Sequence, residues 1–320
     1  MRIAFNGIGC GWGNTGGTQS VFRMADALLE LGVDVQLWAD MPSKFTWFSP
    51  QTPLITTDIA SAPETDVLIS TGVVTVKDTW NFSRKRLGIQ WARGYESWAM
   101  PENKLKTRYA LDLPLWANST CLAQRIQRVS GKDVDVQYCG IPLDEFYPTE
   151  STDEFTVGAL WSDKPAKKAK TVFDLMGRPE LSDVQWRLFG EYTLKNKREN
   201  MRFQHRPGME AKRGIYSACD VWVATSVNEG LHIPPMEAAL CGAAVVSRSG
   251  LSAGTEDYCV DGISGCAYET LEKAAEAIQM LRDPDIRREF SQRAQERIIR
   301  DIGSVEENAR RMMKRIEGLL

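Results

Sequence analysis

Two glutamates, Glu229 and Glu237, bracket the stretch in which residue types and spacing point to chemistry. The residues between them, 230–236, read Gly-Leu-His-Ile-Pro-Pro-Met. An ionised carboxylate only accepts hydrogen bonds, so such a pair suits a ligand rich in hydroxyl groups. Adjacent prolines fit the first turn of a helix, whose unpaired N–H groups and positive dipole end bind phosphate. The stretch therefore predicts a site for a phosphate joined to a ribose or a hexose.

The flanking elements would place this stretch at one edge of a sheet. Residues 220–225 are β-branched and aromatic, which predicts a short buried strand. Pro234 then opens a helix, Gly242 ends it, and Val245 begins another strand. The spacing of the two glutamates has no weight by itself, because 42 acidic residues among 320 produce it by chance. An ordinary crossover helix with two solvated charges is the alternative interpretation.

A second candidate site is the loop at residues 7–17, which contains six glycines and follows a short apolar strand at 2–6. We expect a helix to begin near Gln19. Three glycines satisfy the dinucleotide-binding fingerprint, and an acid after the second strand stands where a ribose-binding acid would: Gly11, Gly13, Gly16 and Asp40. Such sites usually have their glycines directly after the strand, whereas here the last pair directly precedes the helix. The loop predicts close approach of backbone to a diphosphate, with a merely flexible loop as the alternative.

The string from Glu229 to Val246 resembles the donor-binding signature of retaining GT-B glycosyltransferases, in particular glycosyltransferase family 4. The pair Gly16-Gly17 resembles a glycine element of the same family, and residues 140–148 resemble the passage that closes its N-terminal domain. The resemblance covers nearly the whole chain, although only residues 228–246 are highly specific.

The resemblance implies an α/β GT-B fold, with two Rossmann-like doubly wound parallel-sheet domains facing one another across a cleft. Residues 1–150 would form the acceptor domain, with an interdomain linker at 150–154. Residues 151–303 would form the nucleotide-sugar donor domain. The helix at 304–320 is expected to pack back on the first domain.

The resemblance also implies an activity: transfer of a sugar from a nucleotide-sugar to a hydroxyl acceptor, with retention of configuration and without a metal or other cofactor. The departing phosphate would take the acceptor's proton. Glu237 would hold the ribose hydroxyls and Glu229, a catalytic residue, the sugar hydroxyls. The other donor-binding residues implied are Gly16, Gly17, Gly230, Leu231, His232, Ile233, His205 and Arg206.

A run of lysines follows the first strand of the second predicted domain, at Lys164, Lys167, Lys168 and Lys170. Lysines there suit a diphosphate whose charge must be neutralised as it leaves. The family places an arginine after this strand and a lysine at the next helix. Ala159 stands at the arginine position, and the spacing favours Lys170, then Lys168, as the catalytic lysine. Whether another lysine, such as Lys164, replaces the arginine is open, and a solvated basic turn is the alternative.

Acceptor-site candidates follow a strand predicted at residues 86–91. The family's sugar-contacting histidine is replaced by Gln90 or Trp91. Aromatic faces stack on sugars and charged tips hydrogen-bond to them, which points to a small set of residues: Gln90, Arg93, Tyr95 and Glu96. A surface loop with no ligand is the alternative.

Composition narrows the class of protein. The net charge of −3 gives no support to nucleic acid as a partner, and 43% hydrophobic residues are typical of a globular protein. No apolar run reaches membrane-spanning length and the chain opens directly on a strand, so we expect a cytoplasmic location, with peripheral membrane contact left open. The seven cysteines form no C-x-x-C pair and are expected to be free thiols.

Three alternative functions remain open from the sequence. A nucleotide-sugar epimerase shares this architecture, an NAD-dependent oxidoreductase would use the glycine-rich loop, and a non-catalytic module would bind nucleotide-sugar without turning it over. Neither His205 nor His232 has a partner at catalytic or metal-ligand spacing. The nucleotide base, the sugar, the acceptor, the linkage and the oligomeric state are not specified.

Overall fold

The computed structural model describes residues 1–149, 153–195, 198–250 and 254–320. The chain divides into two compact units, one formed by Met1–Gly140 with Gly303–Leu320 and the other by Ile141–Ile302. The predicted linker at 150–154 lies partly outside the described residues, since these omit 150–152. The division itself falls between Gly140 and Ile141.

The first unit is built on a seven-stranded parallel sheet with the strand order β3-β2-β1-β4-β5-β6-β7. The central strands are buried along nearly their whole length because helices cover both faces of a parallel sheet. The strands are β1 (Arg2–Asn6), β2 (Asp34–Ala39), β3 (Leu54–Thr56), β4 (Val67–Ser70), β5 (Leu87–Ala92), β6 (Leu115–Ala117) and β7 (Asp135–Val136).

Four helices connect these strands: α1 (Gly16–Glu30), α2 (Val76–Phe82), α3 (Glu102–Tyr109) and α4 (Thr120–Ser130). The first begins at Gly16 rather than near Gln19, because the Thr15 side chain accepts a hydrogen bond from the N–H of Thr18 at 3.0 Å and caps the helix there. The apolar face of α1, which includes Val21 and Leu28, is buried.

The second unit contains a six-stranded parallel sheet with the order β10-β9-β8-β11-β12-β13. Its strands are β8 (Thr156–Trp161), β9 (Gln185–Gly190), β10 (Met201–His205), β11 (Val221–Ala224), β12 (Ala244–Arg248) and β13 (Cys266–Tyr268). Its helices are α5 (Lys170–Met176), α6 (Met209–Ser217), α7 (Ile233–Leu240), α8 (Leu271–Met280) and α9 (Pro284–Arg297), followed by a π-helical turn at Ile298–Ile302. The core combines residues from the strands and their helices, such as Val157, Val246 and Ile278.

The last helix, α10 (Val305–Glu317), belongs to the first unit, where it packs against α1. Ser304 and Glu307 form a reciprocal capping box at its start, and Met312 and Ile316 are buried along its inner face. Gly140 has φ +70°, and a Cβ there would collide with the backbone of Ser304. Only glycine fits this contact, so the end of the first segment and the start of α10 are tightly joined.

All seven cysteines carry free thiols. None of the helices in the described ranges combines the length and the apolar surface that a membrane crossing needs.

Candidate functional site

Two loops of the second unit are held together at the carboxyl edge of its sheet. β8 and β11 are parallel neighbours, so the loops that follow them begin side by side. The Thr225 hydroxyl donates to the carbonyl of Lys167 at 2.7 Å, and the N–H of Val227 donates to the carbonyl of Ala166 at 2.8 Å. These bonds fix the lysine-rich turn against the loop that carries Glu229.

Glu229 forms an ion pair across this junction with Lys167. The lysine Nζ lies 2.5 Å from Oε1 of the glutamate, and the two side chains are only 26% and 18% exposed. Burial acts to raise the pKa of Glu229, but the charges of Lys167 and His232 and hydrogen bonds from Lys167 and Ser226 outweigh it, so the pKa lies below its ordinary value. Glu229 is therefore ionised at neutral pH.

The two lysines favoured by the sequence point elsewhere in the structure. Lys170, 87% exposed, is the first residue of α5 and pairs with Asp174 one turn along the helix. Lys168 is exposed and has a left-handed backbone, with φ +47°, where a 3₁₀ turn at Pro165–Lys167 ends. That turn brings Lys167, which the sequence analysis did not single out, to Glu229.

The start of α7 is fixed by residues from outside the helix. His232 has φ +48°, and its carbonyl accepts a hydrogen bond from the hydroxyl of Tyr258 at 2.8 Å. Gly254, with φ +76°, packs so closely on Gly230 that a Cβ would lie 2.7 Å from its carbonyl oxygen. Within the described residues, no side chain caps the N-terminus of this helix. Pro234 and Pro235 carry no N–H, so the first turn offers an anion the N–H of Ile233 and the positive end of the helix dipole.

The neighbouring residues at this junction are largely enclosed. Gly230, Leu231 and His232 are buried, and Ile233, the first residue of α7, is partly exposed. The structure thus places these four predicted donor-binding residues in one continuous turn directly after Glu229. What a ligand would contact here is chiefly the backbone, together with the two flanking carboxylates.

Glu237, on the second turn of α7, is only 4% exposed and is held by two residues of α6. Its Oε1 accepts from the Lys212 ammonium at 3.0 Å, and its Oε2 accepts from the Tyr216 hydroxyl at 2.6 Å. Burial, followed by the charge of Glu237, raises the pKa of Tyr216 well above its ordinary value, so the phenol stays a donor. The sequence analysis missed both α6 residues, although their separation of four places them on one helix face.

His205 and Arg206 form the turn that ends β10. The His205 ring nitrogen Nε2 lies 2.9 Å from the carbonyl of Glu191, and the Arg206 guanidinium pairs with the Glu191 carboxylate at 2.8 Å. Arg206 has φ +48°, and its N–H donates to the carbonyl of Gly190 at 3.0 Å. Both predicted residues therefore lie at the carboxyl edge of the second unit's sheet, attached to the loop that follows β9.

In the first unit, Gly16 and Gly17 are the first two residues of α1. Arg93, after β5, donates to the carbonyl oxygens of Gly17 and of Thr71, at the end of β4. In the described part of the chain, a Cβ at Gly16 would meet no atom within 4 Å, so this glycine faces open space. Arg93 thus ties the start of α1 to the carboxyl end of β4.

The four predicted acceptor residues are engaged mainly within their own unit. Gln90 and Tyr95 are buried, and the Tyr95 hydroxyl bonds to Glu102. Glu96 accepts from the N–H of Val73 at 2.8 Å, and burial raises its pKa despite that bond and the charge of Arg93. Gln90 and Tyr95 expose almost no surface to an acceptor, which leaves Arg93 and Glu96 as the partly exposed members of the predicted set.

The arrangement in the second unit can bind an anion beside hydroxyl groups. Two carboxylates flank a helix N-terminus, and each is neutralised by a lysine, so neither repels a phosphate as a bare charge would. In the described ranges, no three His, Cys, Asp or Glu side chains are grouped so that they could hold a metal ion.

Residues 164–314, slightly less than half of the chain, match the family model described as glycosyl transferase-like. These residues include the lysine-rich turn, Glu229 and Glu237. No match was found among curated protein sequences.

Several solved structures share the fold. Sucrose-phosphate synthase of Thermosynechococcus elongatus is 17% identical with a TM-score of 0.82, over 100% of this chain and 99% of that one. HepE of Anabaena, in complex with UDP and glucose, is 16% identical with a TM-score of 0.79, over 99% of this chain and 100% of that one. A glycosyltransferase of Rickettsia africae is 12% identical with a TM-score of 0.78, over 98% of this chain and 96% of that one.

Identities this low establish the fold alone. Two units with parallel sheets of seven and six strands, similar over their full length to these proteins, confirm the predicted α/β fold of the GT-B type.

Proposed function

We propose that this chain is a glycosyltransferase that moves a sugar from a nucleotide-sugar donor to a hydroxyl-bearing acceptor. The observation that carries the proposal is the pair of lysine–carboxylate contacts, Lys167–Glu229 and Lys212–Glu237, around the open first turn of α7. The match to a glycosyl transferase-like model across these residues supports it. Further support comes from the shared fold with HepE, which has been solved with UDP-glucose.

Each group has a part that follows from its chemistry. Glu237 would accept hydrogen bonds from the ribose hydroxyls, and Glu229 would accept them from hydroxyls of the transferred sugar. The N–H of Ile233 and the positive dipole end at the start of α7 would hold the diphosphate. Lys167 would neutralise the charge that grows on the diphosphate as the sugar leaves, and it would take the place of the arginine whose position is occupied by Ala159.

The lowered pKa of Glu229 bears on the mechanism. A carboxylate that is ionised this firmly is a weak general base, because catalytic bases work best with a pKa near the operating pH. We therefore favour a route without a protein base, in which the departing phosphate takes the proton of the acceptor hydroxyl and the anomeric configuration is retained. No metal ion is needed in this route.

The first experiment identifies the donor. Thermal stability would be followed with UDP-, GDP-, TDP- and ADP-sugars, because a ligand that binds the folded state raises the apparent midpoint. Release of nucleoside diphosphate with and without added hydroxyl acceptors would then separate transfer from epimerisation, which needs no acceptor. A donor that binds but is never turned over would indicate a binding module.

The second experiment tests the residues with that donor. We expect Glu229→Gln and Lys167→Met to lower kcat/KM for transfer about 100-fold each, the usual loss when one group that stabilises transition-state charge is removed. Lys170→Met, which removes an exposed lysine three residues away, is the matched control and should stay within about twofold. Full activity in both Glu229→Gln and Lys167→Met would refute the assignment.

A further inference from the structure

Both carboxylate oxygens of Glu237 are held by hydrogen bonds from side chains of α6. Each of its oxygens receives one donor, from the Lys212 ammonium at 3.0 Å and from the Tyr216 hydroxyl at 2.6 Å. An ionised carboxylate has about four acceptor positions. Two positions are therefore taken by the protein and two remain for a ligand.

The two donors are themselves fixed in place. The Lys212 side chain is 15% exposed, and its ammonium lies 5.0 Å from the centre of the Phe146 ring, within cation–π range. The Tyr216 ring packs edge-on against three aromatic neighbours, Phe146, Phe189 and Trp222. Donors fixed in this way orient the carboxylate before any ligand arrives, which is the condition for selective recognition.

We propose that Lys212 and Tyr216 are positioning residues that hold Glu237 in a fixed orientation, so that its two free acceptor positions select the vicinal hydroxyls of the donor's ribose. The chain would therefore prefer ribonucleoside diphosphates to their 2′-deoxy and 3′-deoxy forms. The proposal rests on the function proposed above and assigns parts to two α6 residues.

The preference for ribose over deoxyribose follows from the acceptor position that a missing hydroxyl leaves unpaired. A site built to bond to a hydroxyl rejects the analogue that lacks it, because its buried polar group is then left unpaired. Without Lys212, Glu237 would lose its only direct cationic contact in the described structure, and would either turn toward solvent or lose its fixed orientation. Both responses reduce the difference between ribose and deoxyribose.

The effect should appear in donor binding rather than in the chemical step. Glu237 would contact the ribose in the ground state and in the transition state alike, and loss of such uniform binding raises KM while kcat is unchanged. A general weakening of the fold would instead lower the fraction of active protein, and with it kcat. The KM-against-kcat split therefore separates positioning from a merely structural role.

The test uses the full chain and isothermal titration calorimetry. UDP, GDP, CDP, ADP and TDP are titrated first, and the tightest ribonucleoside diphosphate among them is then compared with its 2′-deoxy and 3′-deoxy forms. We expect wild type to favour the ribo form about tenfold or more, the value of one hydrogen bond to a charged group. In Lys212→Met the preference should fall below about threefold, and Lys212→Arg, which keeps the charge, should recover part of it.

Two further variants complete the set. Tyr216→Phe removes one hydroxyl and should reduce the preference less than Lys212→Met does. Lys273→Met is the control, because Lys273 also pairs with a glutamate, Glu276, but on the solvent-exposed face of α8. This control should match wild type in affinity and in preference.

The outcomes separate the two proposals. If wild type binds none of the five diphosphates, the proposed function fails and this inference fails with it. If it binds only TDP, whose sugar is 2′-deoxyribose, the function stands and the positioning proposal is overturned. If wild type binds one but does not distinguish ribose from deoxyribose, or if Lys212→Met keeps the full preference, the positioning proposal is overturned while the function stands. Should Lys212→Met not fold, unchanged preference in both Lys212→Arg and Tyr216→Phe overturns it equally.

Discussion

Two largely buried glutamates, Glu229 in the second unit and Glu96 in the first, have pKa values displaced in opposite directions. Burial acts to raise both. For Glu229 a lysine ammonium at 2.5 Å reverses the effect, whereas for Glu96 the charge of Arg93 and a bond from the Val73 N–H do not. The difference lies in what each cation touches, since Arg93 gives its hydrogen bonds to the carbonyls of Gly17 and Thr71.

The contrast distinguishes two uses of charge in this fold. In the second unit, Lys167 and Lys212 pair with carboxylates, and the pairing with Lys167 helps to lower the pKa of Glu229. In the first unit, Arg93 donates its hydrogen bonds to backbone carbonyls, and the pKa of the nearby Glu96 stays raised. The contrast depends on which atoms each cation contacts.

The largest expected effect is on stability, through the hydrogen bonds by which Arg93 joins the carbonyls of Gly17 and Thr71. We expect Arg93→Met to lower the free energy of unfolding by about 3 kcal/mol, because two partly buried carbonyls lose charged donors worth about 1.5–3 kcal/mol each. Urea unfolding would measure it. Arg84→Met, whose guanidinium lies 4.6 Å from the Trp80 ring centre, is the control and should cost less than about 1 kcal/mol. Equal stability in wild type and Arg93→Met would show that these two hydrogen bonds do not stabilise the first unit.

The next effect concerns Glu229. Because its folded-state pKa is lowered, the ionised carboxylate contributes stability that is present above the unfolded-state pKa and lost as pH falls through the folded-state value. Glu229→Gln should be about 2 kcal/mol less stable than wild type at pH 7, since Lys167 loses its charged partner. Unfolding curves at a series of pH values should show this gap closing in acid. A gap independent of pH would contradict the assignment.

The contribution of Glu96 to stability should depend on pH in the opposite direction and be smaller in magnitude. Its raised pKa means that stability is highest with the carboxyl protonated, below the unfolded-state pKa, and is lost as pH rises through the folded-state value. At pH 7, Glu96→Gln keeps an acceptor for the Val73 N–H without the buried charge, and should gain up to about 1 kcal/mol. The gain should vanish near pH 4. If Glu96→Gln is destabilised at pH 7, the contrast between the two glutamates is wrong.

The smallest effect is expected at Lys170. Its ion pair with Asp174 is exposed and separated by one helical turn, and such pairs contribute little. Lys170→Met should change the free energy of unfolding by less than about 0.5 kcal/mol, measured under the same conditions as the other variants. A larger loss would mean that the lysine-rich turn depends on more than Lys167.

Much of the fold follows from sequence periodicity. Buried strands and long amphipathic helices are predictable because each buries an unbroken face, as β11 and α1 do. The local pattern is weaker where an element is short or exposed: β3 and β13 have three residues each and lie at sheet edges, and α3 buries only Leu105 and Tyr109. Such segments form through neighbours that are distant in sequence, which a local pattern does not record.

The local sequence pattern singles out the two acids of the candidate site but not the cations that contact them. Glu229 and Glu237 were identified from their local string, and the structure places both around the start of α7. Lys167 was missed because the choice between neighbouring lysines depends on a 3₁₀ turn, which rotates one side chain toward Glu229 and the next away. Lys212 was missed because its contact with Glu237 joins two helices, and only tertiary packing brings these together.

The contact between Gly140 and Ser304 can form only late in synthesis, because the two residues are far apart in the sequence. On a ribosome that adds about 5–20 residues per second, the segment from Ile141 to Ile302 separates residues 1–140 from α10 by roughly ten to thirty seconds. Throughout this interval the surface of α1 that α10 covers has no native partner in the nascent chain. The second unit, continuous in sequence, is under no such delay, and so we expect the first unit to be the one that needs chaperone protection.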